Sequence, residues 1–112
     1  MPATDLLQLR ALIKALQNII EYLGAMKNRE AFLKNPMAQD AVIRNFEILG
    51  ASANRISPDF QSEHPQIPWS QLSSFLHTPL QAQYPIEPAI LWEIGLEHLP
   101  QHLLELEAIA EQ

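Results

Sequence analysis

The chain has no cysteine. Neither a disulfide framework nor a thiolate metal site can be built from it, which fits a reducing cytoplasm. Glycine is scarce, and Gly24, Gly50 and Gly95 stand far apart. No glycine-rich loop therefore exists to wrap a phosphate. No run of about 18 apolar residues occurs, so no membrane span is expected. The first ten residues include Asp5 and lead into no long apolar run, unlike a signal peptide. Basic charge is also short: 7 Lys and Arg face 13 Asp and Glu, for a formal net charge of −6. That balance opposes sequence-independent nucleic-acid binding, in which Lys and Arg neutralise phosphates, although it is compatible with a local basic patch. There is no internal repeat and no low-complexity tract.

What is present is globular in character. The 112 residues are 47% hydrophobic and 18% charged, and they fit one domain spanning 1–112. A chain of this size buries roughly two thirds of its unfolded surface, enough for one core.

Helical periodicity dominates. Thr4 is placed to cap a first helix, with Asp5 at the positive end of its dipole. Leu6, Leu9, Ile13, Leu16, Ile20 and Leu23 recur at three- and four-residue steps, with Arg10, Lys14, Gln17, Asn18 and Glu21 opposite, up to Gly24. Asn28 suits the cap of a short helix over 30–34, which Asn35-Pro36 stops. A third helix is predicted over about 37–56, with Val42, Phe46, Leu49, Ala53 and Ile56 inward. Ser57-Pro58 ends it, and an ordered connector with one helical turn follows. Trp69, Leu72, Phe75 and Leu76 share a side of a helix over about 69–77. Pro79 breaks that helix, since an interior proline costs about 3 kcal/mol, and 78–87 reads as a loop. Pro88 opens the last region. Its stripe of Trp92, Leu96, Leu99, Leu103 and Leu106 keeps phase through Pro100, as in one kinked helix or two nearly collinear ones. Four or five helices and no strand pattern give an all-α antiparallel bundle.

Several constellations bear on chemistry. Asp40, Arg44 and Glu47 share a helix side. They read as a solvated ion-pair ladder, or else Arg44, Asn45 and Glu47 line a cleft or a dimer seam. His98 and His102 have the i, i+4 spacing of metal ligands, with Glu105 near. Pro100 lies between them and the zinc-protease glutamate is missing, so two surface histidines and no metal or other cofactor are expected. Glu93 and Glu97 read as a wet helix face. Ser73, Ser74 and His77 on one turn lack the third member of a triad. Trp69, Trp92 and Phe46 read as core rather than as a platform for bases.

Three blocks then stand out. The first is Gln39, Asp40, Ala41, Val42, Ile43, Arg44, Asn45, Phe46, Glu47, Ile48, Leu49 and Gly50, closing with Arg55, Ile56, Ser57 and Pro58. The second is His64, Pro65, Gln66, Ile67, Pro68 and Trp69. The third is Leu91, Trp92, Glu93 and Ile94, leading to Leu99-Pro100. In order and spacing they resemble the HepT-like toxins of the HEPN superfamily. The resemblance implies an all-α bundle, usually a homodimer, encoded beside a minimal nucleotidyltransferase antitoxin. Active members are metal-independent ribonucleases. Their site is an arginine, four residues, a histidine, and a tyrosine two further on. The arginine can hold the phosphate and the histidine can move a proton at the ribose hydroxyl. In part of the family the antitoxin attaches nucleotide to that tyrosine.

The Trp69-to-Trp92 spacing fits this pattern without a gap. The arginine position falls on Leu76, the polar residue after it on His77, the histidine on Gln81 and the tyrosine on Gln83. Leucine cannot bind phosphate, and glutamine has no titratable proton near neutral pH. The resemblance thus implies a degenerate domain that keeps the scaffold and works by interaction. The alternative is an active toxin acting on RNA through displaced groups, His77 as acid/base and Arg44 as phosphate holder.

Overall fold

The computed structural model describes residues 2–76 and 87–112, with Leu76 described by its backbone. Helix α1 spans Ala3–Gly24, α2 Arg29–Leu33, α3 Pro36–Arg55, α4 Pro58–Glu63 and α5 Trp69–Ser73, the last continued by a 3-10 turn, Ser74–Leu76. Helix α6 spans Pro88–Glu93, a π-helical turn Ile94–His98, and α7 Leu99–Ala110. No strand occurs among the described residues. The all-α expectation holds.

Helix α1 is the central element, with α3 against one side and the π turn and α7 against another. This shifts its inner stripe from the expected one. Leu9, Leu12, Ala15, Leu16, Ile19 and Leu23 are buried, whereas Leu6, Ile13 and Ile20 are half-buried. A helix covered from two directions buries the residues between its contact faces, which a single-face pattern does not anticipate.

The start of α1 also differs from expectation. Pro2 is its cap residue and Thr4 lies inside the helix, with no side-chain cap. Asp5 does more than face the dipole. It is 2% exposed, and its carboxylate accepts the Ser57 backbone N–H at 2.9 Å and the Ser57 hydroxyl at 2.6 Å. The same hydroxyl oxygen accepts the Phe60 N–H at 3.3 Å and so caps α4. Further along, the Asn18 amide donates to Asn45 Oδ1 at 3.1 Å. Asn45, buried among apolar neighbours, donates in turn to the Ala41 carbonyl at 2.9 Å. Asp5 with Ser57 and Asn18 with Asn45 step in opposite directions along the chain, so α1 and α3 run antiparallel.

The short elements are set by caps. Asn28 accepts the Ala31 N–H at 2.8 Å and starts α2 as expected. Asn35 accepts the Ala38 N–H at 3.0 Å. Asn35-Pro36 therefore also starts α3, with proline in the first turn where its missing N–H costs nothing. The Gln39 amide reaches back to the carbonyls of Phe32 and Leu33 at 2.9 and 3.1 Å, closing the end of α2.

The C-terminal region is one unbroken helical run. Pro100 would clash with the Leu96 carbonyl in a straight α-helix and cannot donate to it. The π turn ending at His98 accommodates this by widening the register. Within that turn, Gly95 lies against α1. A Cβ there would overlap Leu23 Cδ1 and stand 3.2 Å from Ile19 Cγ2. Even an alanine there would require the Leu23 side chain to shift.

The Asp5 contact yields a measurable expectation. Asp5→Ala leaves the Ser57 N–H and hydroxyl without their acceptor and should lower stability by about 2–3 kcal/mol. Ser57→Ala keeps the backbone bond and should cost less. Urea unfolding followed by circular dichroism reads both.

Candidate functional site

The stretch that carries the family-like motif enters from a firmly held end. The Trp69 indole N–H donates to the His64 carbonyl at 2.9 Å. Its ring meets the edge of Phe60, which also packs on the His64 ring at 4.7 Å. One turn on, Phe75 packs on Phe46 of α3 at 4.9 Å between ring centroids. These contacts place Leu76 at the end of the 3-10 turn, against α3. His77, Pro79, Gln81 and Gln83 lie outside the described residues.

Arg44 is not brought to this place. Phe46 faces Phe75, and Arg44, two residues earlier, is turned about 200° away around α3. Its side chain is 71% exposed and pairs with Glu47 at 3.4 Å, not with Asp40. An exposed pair of this kind contributes only about 0.2–1 kcal/mol. Asn45 points inward to Asn18, so Arg44, Asn45 and Glu47 do not line one surface. Trp69 is core, and Trp92 is half-buried against Phe32 at 5.7 Å.

The structure does assemble a cleft that the sequence reading did not single out. It holds about 400 Å³ between α5 with its 3-10 turn and the C-terminal run. Gln71, Leu72 and Phe75 line one wall; Ile94, His98, Leu99 and His102 line the other. His98, exposed as expected, and the less exposed His102 therefore line the same cavity. His102 is half-buried. Its Nδ1 is buried without a hydrogen bond and faces Glu105 Oε1 at 3.5 Å. The i, i+3 spacing of His102 and Glu105 was legible in advance, but the opposing wall was not. A larger open depression of about 840 Å³ near Pro58, Pro65 and Trp69 has no ionisable lining residue and offers little chemistry.

The π turn regroups the polar residues of the wet face. Glu93, Glu97 and His98 present ligand atoms within 4.8 Å of one another, all exposed. A π turn brings positions i and i+5 closer to one side than an α-helix does.

This bundle, with its aromatic corner at Trp69 and C-terminal run after Trp92, has a counterpart among known families. The HepT-like family profile, described as ribonuclease HepT-like, matches residues 12–109. The chain belongs to the HepT-like family. A Methanocaldococcus jannaschii relative, named provisionally as an RNase, is 29% identical over 98 residues, covering 88% of this HepT-like chain and 80% of the relative. A second from the same organism, named in the same way, is 28% identical over 98 residues, or 88% and 89% of the two chains. A Thermococcus cleftensis protein, provisionally named ribonuclease HepT, is 34% identical over 71 residues, or 63% of this chain and 64% of its own. No solved structure matches. Among the described residues of this HepT-like chain, no helix is long and apolar enough to cross a membrane.

The contrast between neighbours on α3 can be measured. Arg44→Ala should change stability by less than about 0.5 kcal/mol. Asn45→Ala, which leaves Asn18 without its buried acceptor, should cost about 1–3 kcal/mol. Thermal unfolding of the two variants side by side checks this.

Proposed function

We propose that this chain, one domain over residues 1–112, keeps the HepT-like scaffold without the family's cleavage chemistry. It acts by binding, as an interaction module derived from a toxin–antitoxin ribonuclease. The observation that carries this reading is the stripped motif on an intact frame. Leu76 stands where the family pattern has its arginine, at the end of a turn held by Phe75 on Phe46. Leucine offers no donor to a phosphate, and Gln81 and Gln83 offer no group that titrates near neutral pH. Arg44, on a neighbouring helix, looks into solvent from another side of α3 and supplies no replacement cation. The partners that fit are a second copy of the chain and a minimal nucleotidyltransferase, in the cytoplasm.

Incubating the purified protein with RNA tests the reading. The expected result is intact RNA, with expression harmless to growing cells. RNA cleavage that persists through purification and slows with His77→Ala would overturn it.

A further inference from the structure

The outer face of the C-terminal run brings together three metal-ligand types. Glu93, at the end of α6, and Glu97 and His98, in the π turn, hold their ligand atoms within 4.8 Å of one another. A regular helix would not build this trio. Positions i and i+5 stand about 140° apart around a regular α-helix, so Glu93 and His98 would face different ways. The i→i+5 register of the π turn carries both to one side. The juxtaposition is therefore a product of the backbone adjustment before Pro100, and such single π turns recur at functional sites.

The trio has no cation of its own. All 7 Lys and Arg lie at or before Arg55, whereas residues 56–112 carry more than half of the 13 Asp and Glu. Glu30 and Glu47, in the first half, are paired with Arg29 and Arg44. Among the described residues, Glu93 and Glu97 make no ion pair and His98 makes no hydrogen bond. Two carboxylates four residues apart on a helix repel one another. With no Lys or Arg in this half of the chain, the relief open to them is a cation from solution.

The donor set says which cation. Mg²⁺ and Ca²⁺ take sets of oxygen donors. An imidazole nitrogen among carboxylates suits a divalent transition ion. Zn²⁺ binds His and Glu at about 2.0–2.2 Å, which puts two donors on a tetrahedral ion about 3.4 Å apart. All three side chains are exposed, so rotation about their own bonds closes that difference. We infer that Glu93, Glu97 and His98 form a binding site for a divalent transition-metal ion of the zinc class. Three protein donors leave a fourth position to water, as in open rather than closed zinc sites. His98 also lines the cleft between α5 and the C-terminal run, which puts the ion at the rim of that cleft. Bound there, it clips the end of α6 to the π turn. The inference stands apart from the binding role proposed above and from the loss of cleavage.

Isothermal titration of the full chain, first freed of metal by a chelator, with zinc chloride tests it. One ion per chain should bind in the micromolar range, and a millimolar excess of Mg²⁺ should not displace it. The melting temperature should rise with zinc, because only the folded chain presents the trio. Glu93→Gln, Glu97→Gln and His98→Gln should each weaken binding about tenfold or more, since loss of even an outer-sphere partner costs a metal site about that much. The three exposed positions should tolerate these changes without loss of fold. His102→Gln, four residues on and beside Glu105, should bind zinc as the parent does. Zinc affinity unaltered in the three variants, zinc lost with His102→Gln while both glutamate variants keep it, or no binding at all would overturn the inference.

Discussion

A buried carboxylate ties together two parts of the chain 52 residues apart. Asp5 sits in the first turn of α1 and receives both donors of Ser57 at the junction of α3 and α4. The desolvation of such a charge is tolerable only because both hydrogen bonds are made. Ser57 in turn caps α4, so one contact fixes where α3 ends, where α4 begins and how α1 lies against both. The Asn18–Asn45 bond repeats the constraint near the middle of the pair. With α1 and α3 locked antiparallel, the aromatic corner at Phe60 and Trp69 and the packing of Phe75 on Phe46 have a fixed floor.

The C-terminal run is shaped by two residues of opposite character. Pro100 forbids a regular α-helix through residue 96, and Gly95 allows the widened turn to lie directly on Leu23 and Ile19. The resulting π turn changes which side chains share a face. It gathers Glu93, Glu97 and His98 outside, while His98 and His102 reach the cleft. The chemistry on this side of the molecule therefore follows from a backbone adjustment to one proline.

Much of this was legible in the residues. The helices around Val42, Phe46 and Leu49, the Asn28 cap and the continuity through Pro100 follow from period and local stereochemistry. Asn35-Pro36 was read as a stop and is equally a start, because a capping asparagine before proline serves the following helix. The stripe on α1 was misplaced by a rotation, since α1 packs on two sides and its own pattern encodes no single face. The Asp5–Ser57 bond and the cleft were not legible, because each joins residues whose proximity depends on tertiary packing. The helix expected over about 69–77 is present up to Leu76, its last turn being the 3-10 turn Ser74–Leu76. His77, Gln81 and Gln83 fall beyond the described residues.

The functional reading depends on a frame that persists whether or not the motif is kept. That independence belongs to the α1–α3 pair, whose core residues Leu12, Leu16, Ile19, Val42, Phe46 and Leu49 are almost completely buried. Native-state hydrogen exchange tests it most directly. Amides within residues 12–19 and 42–53 should exchange only through global unfolding, with one shared protection free energy equal to that from urea unfolding, and α4 and α5 should open earlier. Exchange of α1 and α3 through separate openings, or faster than α5, would contradict the account.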